Sequence, residues 1–112
     1  MATVAFRESL AVYAGTLMTH ASLYTTTPTA TTPGTEVTGS GWARQPVTWS
    51  AGASDGSITA TVVFNVPAGQ TVVGGGFHSA LTGGNYLDGG ALPSQPYTTA
   101  GTYTLNATLA VA

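Results

Sequence analysis

The sequence predicts a mainly β fold, either an antiparallel β-sandwich or a jelly-roll-like barrel, with one N-terminal α-helix. Residues 57–66 and 102–111 alternate apolar and polar side chains with the period of a half-buried strand. Gly and Pro turns separate several such short segments, which is typical of antiparallel sandwiches and barrels. The N-terminal segment instead repeats apolar residues at steps of three and four, as a helix does. The length of 112 residues predicts a single domain over residues 1–112.

The helix is expected over residues 3–19. Thr3 can cap its first turn, because a hydroxyl oxygen accepts a hydrogen bond from a free N–H group there. Gly15 weakens a helix by about 1 kcal/mol relative to Ala, so the helix should need support from the rest of the domain or from a neighbouring subunit. The residues expected to form one apolar stripe are Val4, Leu10, Ala11, Ala14, Leu17 and Met18.

A short first strand is predicted at residues 20–25, followed by a long loop or arm at residues 26–41. This segment holds two prolines and three glycines and has no periodicity. A loop of this length is unusual in so small a domain. We expect it to be disordered alone or ordered by a partner chain.

The main β region is predicted over residues 42–112. Strands are expected at residues 42–50, 57–66, 70–79, 85–92 and 102–111. Pro46 lacks a backbone N–H and therefore predicts an edge strand or a bulge. The three consecutive glycines of residues 74–76 indicate a sharp bend or a close approach of another part of the chain.

The low charge of the chain restricts the classes of function. Charged residues make up 5% of it, and it has no lysine and no cysteine. Two arginines are too few to neutralise a nucleic-acid backbone, so no nucleic-acid partner is expected. No apolar run approaches the roughly 18 residues of a membrane span, so no membrane partner is expected either. A surface with so little charge favours association with other protein.

Neither catalysis nor cofactor binding is predicted. The candidate bases are His20 and His78, and the Ser79 next to His78 would point to the opposite face of a strand. The four acidic residues are scattered, and the two histidines lack the spacing of metal ligands. The sequence therefore predicts a protein that is not an enzyme, with no catalytic residue, no cofactor and no metal site.

The candidate interface residues are Trp42, Arg44, Glu36 and Pro33. Trp42 and Trp49 are seven residues apart, so strand alternation puts them on opposite faces, one in the core and one towards a partner or a sugar. Trp49 is expected to be the core residue, because Val47 shares its face. Arg44 is expected to pair with Glu36, to pair with a carboxylate on a neighbouring subunit, or to cover Trp42 within the same chain.

Several segments together resemble a known family. They are THASLYTTTP at 19–28, PGTEVTG at 33–39, WARQPVTW at 42–49, FNVPAG at 64–69, FHSALTGGNYLDGGAL at 77–92 and AGTYTLNATLAV at 100–111. The chain resembles small virion structural proteins of tailed bacteriophages, especially of actinobacteria, which are called minor capsid, head decoration or minor tail proteins. Trp42 departs from the family pattern, in which a smaller aromatic such as Tyr is expected.

The resemblance implies a non-enzymatic virion protein that assembles in the host cytoplasm. Its implied role is a minor capsid or decoration protein that stabilises contacts between coat subunits, with the major capsid protein and copies of itself as partners. One alternative is a minor tail or tail-fibre component. A second alternative, from another class, is a carbohydrate-binding module that uses Trp42 or Trp49.

Overall fold

The computed structural model describes residues 3–50 and 57–110. Within these two stretches, one helix comes first and six strands follow it. In chain order they are α1 (Val4–Leu17), β1 (His20–Tyr24), β2 (Gln45–Pro46), β3 (Ser57–Val66), β4 (Gln70–His78), β5 (Tyr86–Tyr97) and β6 (Gly101–Ala110).

The strands form two antiparallel sheets. The larger sheet has four strands in the order β2-β1-β4-β5, and β3 pairs with β6 in the smaller one. The chain passes from the small to the large sheet after β3 and returns after β5. The predicted fold class is confirmed, since the fold is mainly β and antiparallel, with one N-terminal helix. The described strands form a sandwich-like pair of sheets and not a closed barrel.

The apolar alternation of β3 supplies much of the core. Its residues alternate strictly between buried and exposed positions, and Phe64 is fully buried. On β6, Leu105 is buried opposite Val62 of β3. The buried core cluster consists of Ala21, Leu23, Val37, Val62, Phe64, Val66, Val72 and Leu105. The side chains of Val4 and Val111, which the sequence also assigned to apolar faces, lie outside the described part of the structure.

The helix packs on the domain through only part of the expected apolar stripe. Thr3 caps it as predicted, since its Oγ1 accepts a hydrogen bond from the N–H of Phe6 at 3.2 Å. Ala11 and Met18 are buried, but Leu10 and Leu17 are exposed. The physical reason is close packing through small side chains, since a Cβ at Gly15 would lie 2.7 Å from Cδ1 of Ile58 in β3. The predicted stripe was therefore wrong in its two leucines.

Two strands differ in length from their sequence predictions. Only Gln45–Pro46 of the expected strand 42–50 joins the sheet, at its edge beside the start of β1. The strand expected at 85–92 continues to Tyr97, through Pro93 and Pro96. This continuation is possible because β5 is the other edge strand of the sheet and pairs only with β4. A proline in an edge strand does not interrupt backbone hydrogen bonds to strands on both of its sides.

Candidate functional site

Arg44 joins three separate parts of the chain. Its Nε and Nη2 donate to the two carboxylate oxygens of Glu36 at 2.8 and 3.0 Å, the bidentate geometry that suits a guanidinium. Its Nη1 donates to the carbonyl oxygens of Ala80 and Gly83 at 3.0 and 2.9 Å. The turn between β4 and β5 is thereby tied to the arm of residues 26–41. Of the three roles considered for Arg44, the structure shows the ion pair with Glu36 inside one chain.

The ion pair is largely withdrawn from solvent. The side chain of Arg44 is 10% exposed and that of Glu36 is 28% exposed. Ser22 of β1 also donates its hydroxyl to Oε2 of Glu36, at 2.6 Å. Burial alone would raise the pKa of Glu36, but the hydrogen bonds from Arg44 and Ser22 and the positive charge of Arg44 outweigh it, so this pKa lies below its ordinary value. The hydrogen bond to Glu36 raises the pKa of Arg44, against the effect of burial.

The arm is anchored along its length by its own chain. Val37 is buried, and its N–H donates to the carbonyl oxygen of Leu23 at 3.1 Å. Pro28 is buried too, against Gly74 of β4. The carbonyl oxygen of Thr29 accepts a hydrogen bond from the Tyr86 hydroxyl at 2.8 Å. The sequence-based expectation that this segment needs a partner chain overlooked these internal anchors.

Behind the ion pair lies a buried aromatic cluster. The hydroxyl of the fully buried Tyr24 lies 2.5 Å from Nε2 of His78, which is also buried. The rings of Tyr24 and Tyr86 meet edge to face, with their centroids 6.4 Å apart. Burial lowers the pKa of His78, and the charge of Arg44 lowers it further, against the opposing charge of Glu36. The lowered pKa favours the neutral ring of His78, and the tautomer of that ring decides which atom donates in its hydrogen bond with Tyr24.

The glycine triplet makes room for this cluster. A Cβ at Gly76 would lie 2.7 Å from the Tyr24 hydroxyl and 2.8 Å from the carbonyl oxygen of Asp88 on β5. Both distances are too short for a carbon atom, so only glycine fits between β5 and the tyrosine. The close approach that the sequence suggested for residues 74–76 is present, since Tyr24 crowds Gly76 and Pro28 crowds Gly74.

The two histidines have structural partners. Nε2 of His78 is taken by Tyr24, and Nδ1 of His20 lies 2.9 Å from the hydroxyl of its neighbour Thr19. The carboxylate of Glu36, which accepts the Ser22 hydroxyl, is held in place by Arg44. The hydrogen bonds of the two histidines join parts of the fold, since one links β1 to β4 and the other links Thr19 to the first residue of β1.

The two tryptophans both pack inside the domain. The ring of Trp42 stacks on the core residue Phe64, with centroids 5.6 Å apart and planes 12° apart. The ring of Trp49 lies against Phe77, and its Nε1 donates to the carbonyl oxygen of Met18 at 3.1 Å. The expectation that Trp49 alone belongs to the core was wrong. Strand alternation does not apply, because both residues lie outside the two-residue strand β2.

Three of the four candidate interface residues lie together. Trp42, Arg44 and Glu36 line one surface depression of about 340 Å³, whereas the exposed Pro33 is not part of its lining. The depression also includes Leu81 and Thr82 from the turn between β4 and β5. Leu81 is an exposed apolar residue that the sequence reasoning missed. Its position at the tip of a polar, glycine-rich turn was the available signal.

No helix among the described residues has both the length and the apolar character needed to cross a bilayer.

In comparisons with known proteins, no curated protein and no solved structure showed significant similarity to the chain. One family model does match, and it covers residues 4–110. Its description is podophage GP4 fiber I protein gp80, which names a structural part of a phage. This agrees with the virion structural class that the sequence resemblance implied. Since the match spans almost the whole chain, the protein belongs to the podophage GP4 fiber I protein gp80 family.

Proposed function

We propose that the chain is a non-enzymatic subunit of a phage tail fibre. The observation that carries this proposal is the family match over residues 4–110, because the description of that family names a fibre. It favours the fibre alternative over the minor capsid or decoration role that the sequence resemblance put first. The virion location is common to both roles.

The shape and surface of the domain suit a fibre subunit. The domain measures 46 × 25 × 23 Å, so one dimension is nearly twice the others. A strand rises about 3.3 Å per residue, so the twelve residues of β5 span roughly 40 Å, close to the long dimension. With 5% charged residues, neighbouring subunits would meet with little charge repulsion. An elongated, weakly charged domain is a suitable repeating unit for a narrow assembly.

The hydrogen bonds of Arg44, here called the intrachain clamp, suit a subunit that must keep its shape in a fibre. Arg44, Glu36 and the turn carbonyls hold three parts of the chain together at one end of the larger sheet. The buried hydrogen bond between Tyr24 and His78 joins β1 to β4 in the same region. These bonds give the domain a fixed shape without any disulfide, since the chain has no cysteine.

The location in the particle can be tested directly. Virions that contain this chain would be disrupted mildly, and heads, tails and fibres would be separated on a density gradient. Mass spectrometry would then measure the ratio of this chain to the coat protein in each fraction. We expect the chain in the fibre-containing fraction and not in isolated heads. A constant ratio to coat protein in isolated heads would contradict the proposal and support the decoration role with the major capsid protein as partner.

A further inference from the structure

Helix α1 carries two separate apolar faces. One face packs on the domain through Ala11 and Met18, with Gly15 next to Ile58 and Trp49. The other face points to solvent. Within the described part of the chain, eight large apolar side chains are exposed, and five of them lie on this helix. They are Phe6 (56% exposed), Leu10 (40%), Val12 (44%), Tyr13 (64%) and Leu17 (46%).

Four of these residues form one continuous seam. Phe6, Leu10, Tyr13 and Leu17 follow each other at steps of four, three and four residues. At 100° per residue they fall within about 60° of the helix circumference, and Val12 lies about 130° away from them. This spacing is that of the a and d positions of a heptad repeat, by which one helix packs against another helix. We call these four residues the α1 seam.

The seam is complementary to itself. A helix with heptad spacing is matched by a second helix with the same spacing, and the same seam on another copy provides it. The charged residues of the helix, Arg7 and Glu8, lie outside the seam, so two copies can approach without bringing like charges together there. An acidic or basic partner would find no opposite charge on the seam itself.

The exposed area fits a contact between copies. Phe and Tyr side chains bury roughly 150–250 Å² each when fully covered. With the exposed fractions given above, the four side chains offer on the order of 400 Å² per chain, or about 800 Å² across two chains. That total is below the roughly 1,200–2,000 Å² of stable specific interfaces, so the seam would be a weak contact and one of several in an assembly. It predicts a weak association that depends on concentration.

We propose that the α1 seam is a self-association surface, through which helix α1 packs against α1 of a second copy of this chain. The proposal deepens the fibre assignment, on which it rests for its biological meaning, by naming the partner and the surface. Its test uses the purified chain alone. The outcome for the seam is therefore independent of the outcome for the fibre assignment. The purified chain can fail to associate even if virions carry it in fibres, and it can associate through the seam even if virions carry it on heads.

The first experiment compares two matched substitutions. Leu10→Gln changes a seam residue, and Val12→Gln changes a residue of similar exposure that lies off the seam. Gln keeps the helix propensity high in both. Sedimentation velocity of the full chain over a broad concentration range should show self-association of the unchanged protein. Leu10→Gln should weaken it at least tenfold, because each contact loses a leucine from both copies. Val12→Gln should change it by less than about threefold.

Two outcomes of this experiment would overturn the proposal. One is an unchanged protein that stays monomeric up to the highest soluble concentration. The other is association that Leu10→Gln weakens no more than Val12→Gln does. Thermal unfolding of both variants at low concentration shows whether the monomer has stayed folded.

Cross-linking provides a second measurement, which detects the proximity of two copies directly. The chain has no cysteine, so a single introduced thiol can form a disulfide only between copies. Leu10 lies near the middle of α1, where a thiol comes close to its counterpart whether the two helices run parallel or antiparallel. Under mild oxidation, Leu10→Cys should give a covalent dimer well before Val12→Cys does. Equal rates of dimer formation would count against the seam.

Discussion

Replacing Arg44 by Met tests whether this residue stabilises its own chain or serves mainly to bind a neighbouring subunit. Met keeps much of the apolar stem and removes all four hydrogen bonds of the guanidinium. At about 1 kcal/mol net for each bond, the loss is about 4 kcal/mol. Water can reach the partly exposed carboxylate of Glu36, and its hydrogen bonds to that carboxylate recover part of the lost free energy. We therefore expect the free energy of unfolding to fall by about 2–4 kcal/mol, a large share of a typical total of roughly 5–15 kcal/mol.

The companion variant Glu36→Gln should cost less, about 1–2 kcal/mol, because Arg44 keeps its bonds to the two turn carbonyls. Chemical denaturation followed by circular dichroism measures both variants and the double variant, and the cycle gives their coupling energy. Hydrogen exchange at the Val37 amide, which bonds to β1, reports whether the arm has loosened. A loss below about 0.5 kcal/mol for Arg44→Met, as for an exposed surface ion pair, would refute the intrachain clamp.

Three further predictions concern the core. Gly76→Ala should cost about 2–3 kcal/mol in chemical denaturation, because its Cβ would come within 2.8 Å of a backbone oxygen of β5. Gly90→Ala, with nothing within 4 Å of its Cβ, is the matched control and should cost less than about 1 kcal/mol. The lowered pKa of His78 means that the unfolded chain binds its proton more readily, so stability should fall as the pH drops below about 6.5. His78→Gln should remove that part of the pH dependence, and an unchanged profile would contradict the burial argument. Trp42→Ala should cost about 2–3 kcal/mol by exposing Phe64, and unchanged stability would restrict Trp42 to an interface role.

The regular parts of the fold could be predicted from local patterns. The alternation of β3 appears directly in its buried and exposed positions. The helix was also visible, and the burial of Ala11 and Met18 was predicted, but the exposure of Leu10 and Leu17 was not. Periodicity gives weight to large apolar residues, whereas α1 docks through Ala11, Gly15 and Met18 and leaves Leu10 exposed. A helix with two apolar faces cannot be oriented from one sequence alone, because the choice depends on which surface lies opposite.

The candidate site was predictable only in part. Glu36 and Arg44 are eight residues apart and opposite in charge, so their pairing was among the possibilities. The carbonyls of Ala80 and Gly83 lie 36 and 39 residues from Arg44, and only the tertiary arrangement brings them into reach. The same holds for Tyr24 and His78, which are 54 residues apart. Long-range polar contacts of this kind have no signature in local spacing.

The prolines at the borders of the four-stranded sheet have a consequence for solubility. Proteins commonly protect the outer strand of a sheet with lysine, whose charge discourages a foreign strand from pairing with it. This chain has no lysine. Its two border strands instead carry Pro46 on one side and Pro93 and Pro96 on the other, and none of these residues can donate a backbone hydrogen bond to an incoming strand. Proline thus protects this sheet against amyloid-like growth in a molecule that has almost no charge for the purpose.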